Sequence, residues 1–63
     1  MILLHQLLNL IDLNCELAIY DADDFKLLTS GYSSIIELPQ QLYDAVVDHI
    51  LPGIITQIYI KEF

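Results

Sequence analysis

The chain has 63 residues, nine acidic against two basic for a net charge of −7, and is nonetheless 56% hydrophobic. That length admits one domain, residues 1–63, and the single cysteine, Cys15, excludes an intramolecular disulfide. Two lysines are too few to hold a phosphate backbone by counterion release, which argues against direct nucleic-acid binding.

Residues 1–13 are apolar enough to raise the question of a signal peptide or membrane anchor. They lack a cationic leader, and His5, Gln6, Asn9 and Asp12 interrupt them well short of the ~20 apolar residues that a membrane span requires. Leu3, Leu4, Leu7, Leu8 and Ile11 instead share one side of a helical wheel, so the spacing predicts an amphipathic helix, with Ile2 and Leu10 widening its apolar stripe and Asn14 ending it. From Glu16 the period becomes two, Leu17 and Ile19 opposite Glu16, Ala18 and Tyr20. Asp21, Asp23 and Asp24 are turn formers, and a β-compatible run closed by Gly31 follows, so residues 16–30 read as a β-hairpin. Residues 54–63 are the clearest strand, Thr56, Ile58 and Ile60 alternating with Gln57, Tyr59 and Lys61.

The segment between them has two readings. Leu38, Leu42, Val46 and Ile50 recur every four residues behind Pro39, as in a helix that ends before Pro52 and Gly53. Val46 and Val47 favour instead a short helix and then a strand over residues 45–50. The order of a Leu-rich N-terminal helix, the run Leu17, Ala18, Ile19, Tyr20 and Asp21, a polar turn, Gly31, Leu38, Pro39, Leu42, Val46, Val47, Ile50 and a final Ile-x-Ile resembles small uncharacterised proteins of phages and prophages of Gram-positive bacteria. In those proteins the matching segment at residues 45–50 looks like a strand. The expected fold class is therefore α+β: an N-terminal amphipathic helix packed on a small antiparallel sheet of three or four strands, with a short helix or second helix near residues 39–50.

No pattern in the chain carries catalysis. Asp21, Asp23 and Asp24 supply oxygen ligands of the kind calcium prefers, but the sixth position of the loop is Lys26 and the twelfth Tyr32, where a calcium loop needs Gly and Glu. Cys15, His5 and His49 lack the paired short spacings of a zinc module. Gly31, Tyr32, Ser33, Ser34 and Ile35 begin a nucleophile elbow without completing it. The expectation is a non-enzyme with no catalytic residue, metal or cofactor.

More apolar side chains are present than so small a body can readily bury, because a domain near 60 residues hides only about 60% of its unfolded surface. Self-association is therefore expected, through a helix edge carrying Ile2 and Leu10 or through an outer sheet face carrying Tyr20, Leu28 and Tyr59. Asp21, Asp23 and Asp24 form a candidate partner-binding acidic tip for a basic host protein. The resulting expectation is a small acidic protein-protein interaction module of the cytoplasm, the host cell's cytoplasm if the chain is phage-encoded. The resemblance implies phage origin and inhibition of a host defence or nucleic-acid-handling protein. The alternative is a structural or assembly subunit of a homo-oligomer, with acidity that only keeps it soluble.

Overall fold

The computed structural model describes residues 1–11, 14–32 and 38–63. Four strands, β1 (Glu16–Asp21), β2 (Leu27–Tyr32), β3 (Val46–Leu51) and β4 (Thr56–Lys61), form one sheet in the order β2-β1-β4-β3. The hairpins β1-β2 and β3-β4 are antiparallel, but the two central strands, β1 and β4, run parallel. The sheet is thus mixed, a correction to the antiparallel sheet expected from the sequence. The reason is connectivity. β2 ends at the opposite end of the sheet from the start of β3, so the chain traverses the sheet between them, and the second hairpin then enters with β4 alongside β1. Alternation marks a strand and its two faces but carries no direction.

The central strands supply the core. Leu17 and Ile19 of β1 and Ile58 and Ile60 of β4 are fully buried on the inner face, where Leu4, Leu42 and Ala45 join them. The cross-strand register places Leu17 beside Thr56 and Ile19 beside Ile58. Burying each such Leu or Ile contributes about 1.5–3 kcal/mol.

The N-terminal layer is smaller than expected, and an N-terminal amphipathic helix on the sheet is corrected to a single short turn, α1 (Leu4–Leu8). Ile2 and Leu3 are drawn into strand pairing instead. Leu3 bridges Val46, the Val47 N–H donates to the Ile2 carbonyl at 2.9 Å, and the Leu4 N–H donates to Ala45 at 2.8 Å. At the other end the Leu10 N–H turns back onto Leu7 at 2.9 Å, an i→i−3 bond that closes the helix. A helix this short is not stable alone, so it is held by its apolar side. Leu4 is buried and Leu7, Leu8 and Ile11 pack against the core, so the predicted stripe does face the sheet.

Near residues 39–50 the second-helix reading is also corrected. A single 3₁₀ turn, Gln40–Leu42, follows Pro39 and seats Leu42 in the core, and β3 begins at Val46. β4 starts at Thr56, so Ile54 and Ile55 belong to the connecting turn, where Ile54 is 98% exposed. Gly31 sits inside β2 opposite Leu17 with φ of 149°, a conformation that L side chains rarely adopt.

Candidate functional site

Both helical elements pack on the inner face of the sheet, leaving the outer face without a second layer among the described residues. By strand alternation the outer positions are Glu16, Ala18 and Tyr20 on β1, and Gln57, Tyr59 and Lys61 on β4. Register adds Ser30 and Leu27 on β2 beside Ala18 and Tyr20, and His49 and Leu51 on β3 beside Tyr59 and Gln57.

Three rings form a ladder across this face. The Tyr20 and Tyr59 rings stack at 5.1 Å between centroids with 16° between planes, and His49 stacks on the other side of Tyr59 at 4.3 Å and 10°. Phe25, from the β1-β2 turn, meets Tyr59 edge-on at 5.9 Å and 77°. Tyr59 is consequently only 8% exposed although it lies on the outer face. Its hydroxyl donates to Gln57 Oε1 at 2.8 Å, which satisfies the polar end of the ring.

Two β-bulges build the ladder's flanks. In β2 the register slips between Thr29, opposite Ile19, and Leu27, opposite Tyr20. The extra residue, Leu28, packs with the core, and Leu27 reaches the outer row. In β3 the slip falls between Val47 and His49, with Asp48 as the extra residue. Without that insertion the period of two would turn His49 and Leu51 to the opposite face, so the bulge is what puts the imidazole on Tyr59.

Asp48 leans back over the same surface. Its Oδ2 lies 2.6 Å from His49 Nδ1, and its Oδ1 lies 3.3 Å from Lys61 Nζ. The hydrogen bond from His49, then that from Lys61, holds the Asp48 carboxyl below its ordinary range. One of the two lysines in the chain thus neutralises the carboxylate next to the ladder.

The hairpin turn between β1 and β2 holds Phe25 at the head of the ladder. Asp21 Oδ1 accepts the Asp23 N–H and Asp24 Oδ1 accepts the Lys26 N–H, each at 2.9 Å, while the Phe25 N–H donates to the Asp21 carbonyl at 2.8 Å. Phe25 itself has φ of 59°, a left-handed conformation that is uncommon for a bulky side chain, and its ring is 65% exposed. The carboxylates of Asp21 and Asp24 therefore serve local turn geometry, while Asp23 and Asp24 stay exposed at the tip.

The residues singled out in the sequence are distributed unevenly over this surface. Tyr20 and Tyr59 come together in the ladder, whereas Leu28 is carried to the inner side by its bulge. Ile2 is half-buried along the β3 edge and Leu10 is 77% exposed beyond α1, away from the outer face. Cys15, His5 and His49 are not gathered. The Cys15 thiol meets Thr56 Oγ1 at 3.3 Å at the start of β1, His5 faces Asp44 at 3.6 Å, and His49 lies in the ladder. Among the described residues no group of three His, Cys, Asp or Glu is placed to hold a metal ion, and no helix is long and apolar enough to cross a membrane. Ser33 and Ser34 lie outside the described residues. Phe25, Leu27, His49 and Leu51 were not foreseen as members of the outer sheet face. A signal existed only for Phe25, an aromatic residue within an acidic turn. Comparison with protein-family models, with curated proteins and with solved structures finds no match.

Proposed function

We propose that this chain is a protein-binding module that acts by contact through the outer face of its sheet. The observation that carries the reading is the stacked row of Tyr20, Tyr59 and His49, flanked by exposed Leu27, Leu51 and Phe25, on a face with no second layer among the described residues. Exposed apolar surface with an aromatic centre is the usual composition of a protein contact, and charge is sparse at its middle. A non-catalytic role fits the same surface, because its ionisable side chains beside the ladder, His49 and Lys61, are both engaged by Asp48.

The test compares Leu27→Glu with Leu51→Glu on the face, and Ile54→Glu off it, in capture of whatever protein the parent retains. Loss with the face variants alone supports the reading, and equal capture by all four proteins refutes it.

A second reading is favoured by the net charge of −7 and the exposure of Asp23 and Asp24. In it the acidic tip engages a basic protein of a host cell, as expected for a phage-derived inhibitor of a defence or nucleic-acid-handling protein. This reading rests on the pattern resemblance and on charge, and its test is the salt series described in the Discussion.

A further inference from the structure

Resting on the outer face as the contact surface, we propose that its occupant is a second copy of this chain, packed sheet against sheet so that the two Tyr20-Tyr59-His49 ladders face each other. Three independent features of the molecule point to self-pairing.

The first is charge. Two copies at −7 each repel, and they can meet closely only where their charges are matched. On this face Asp48 is matched by Lys61 and His49, and Glu16 stands at the far end of β1 from the ladder. The other described carboxylates lie elsewhere: Asp21 at the end of β1 opposite Ile60, Asp23 and Asp24 in the hairpin turn, Asp44 beside His5, and Glu62 beyond β4. A strongly basic partner would find little field around the ladder, whereas a second aromatic face with the same matched charges finds its complement.

Area is the second. Four strands about 4.8 Å apart, each of six residues at about 3.3 Å, give a face of roughly 380 Å² in projection. Two such faces, with the relief of Phe25, Leu27 and Leu51 added, reach the ~1,000 Å² at which specific interfaces begin. Because a two-fold axis sets the same patch on both sides, the ladder needs no other surface to complement it.

Third, the fold has no staple. Among the described residues the fully buried large side chains are Leu4, Leu17, Ile19, Ile58 and Ile60, and the single cysteine, Cys15, is a free thiol, so no disulfide closes the fold. Domains of this size without staples commonly gain stability by oligomerising. A facing sheet about 10 Å away would turn the single-layered outer face into the interior of a sandwich.

The experiment is sedimentation velocity of the full chain from about 1 to 100 μM, with the double variant Leu27→Glu/Leu51→Glu and the off-face control Leu10→Glu/Ile54→Glu. Dimer in the parent and control, with association weakened more than about 100-fold in the face variant, supports the proposal, because each copy would bury unpaired charge. A second measurement stands apart from the folding of that variant: in Cys15→Ser/Ser30→Cys, spin labels on the two outer faces should lie within about 25 Å of each other, given sheets ~10 Å apart. A monomeric parent, a dimer indifferent to the face variant, or labels farther apart each overturns second-copy occupancy. The underlying reading fails separately: if the parent is monomeric yet the face variant loses a protein that the parent captures, only the second copy is refuted, and if capture is unchanged both fall.

Discussion

Tyr59 is the test of whether the ladder is a packed structural unit. Three rings surround it and leave it 8% exposed, so Tyr59→Ala removes most of a large buried ring together with its stacking partners. Loss of such a side chain costs about 3–5 kcal/mol, whereas Tyr59→Phe deletes only the hydroxyl bonded to Gln57 and costs about 0.5–1.5 kcal/mol. A domain of this length has a total stability of about 3–9 kcal/mol at the usual value per residue. The alanine variant should therefore sit at the edge of unfolding, while the phenylalanine variant stays folded. Urea denaturation followed by circular dichroism at one low protein concentration measures both. With a slope near 1 kcal/mol per molar, the alanine midpoint should fall by about 3 M or more and the phenylalanine midpoint by about 1 M. A loss below about 1 kcal/mol for Tyr59→Ala would refute the argument, since the rings would then be lying beside one another without packing.

Three further outcomes are expected. The Asp48 carboxyl is held low by His49 and Lys61, so its stabilisation is present above its unfolded value near 3.8 and is lost as pH falls through the lower folded value; Asp48→Asn should flatten the acid limb of a stability-pH profile, and an unchanged profile would count against the contact. Gly31→Ala should destabilise by about 1–2 kcal/mol in thermal melts because φ of 149° strains any Cβ, and a neutral result would mean that the β2 backbone relaxes there. Replacing Asp21, Asp23 and Asp24 together by Asn should slow capture of a basic partner at about 0.05 M salt and make little difference at 0.5 M, where the Debye length is only a few ångströms; equal on-rates throughout would remove the tip from recognition.

β1 and β4 were legible because their alternation is clean, and β2 because a β-compatible run closed by Gly31 follows a polar turn. Thr56, Ile58 and Ile60 lie inward and Gln57, Tyr59 and Lys61 outward, as their period of two requires. The helix was legible in its inward stripe but not in its length, since the pairing of Ile2 and Leu3 with β3 is a long-range event that no local pattern announces. The four-residue spacing of Leu38, Leu42, Val46 and Ile50 misled for a related reason. An even spacing satisfies a strand as well as a helix, and here the chain changes from a 3₁₀ turn to β3 partway along it. The outer row was half legible. Tyr20 and Tyr59 followed from alternation, but each bulge reverses the faces beyond it, so Leu28 exchanged places with Leu27 and His49 became an outer residue.

Those same bulges explain how acidity and excess apolar surface coexist in one small chain. A sheet with one solvated face ordinarily carries polar side chains there, yet on the two central strands Ala18, Tyr20 and Tyr59 hold outer positions beside Glu16, Gln57 and Lys61. On the flanking strands, one register slip adds Leu27 to that row and the other adds His49 and Leu51, while Asp48, the residue that makes the second slip, ties off Lys61. Of the other described carboxylates, Glu16 and Asp21 stand at the two ends of β1, Asp44 and Glu62 lie outside the strands, and Asp23 and Asp24 lie in the turn, where Asp21 and Asp24 cap backbone N–H groups. In the proposed reading, the contact row and the tip carboxylates are therefore carried by different residues. A charge placed at Leu27 or Leu51 tests the face without altering the tip, and neutralising the tip leaves the face intact.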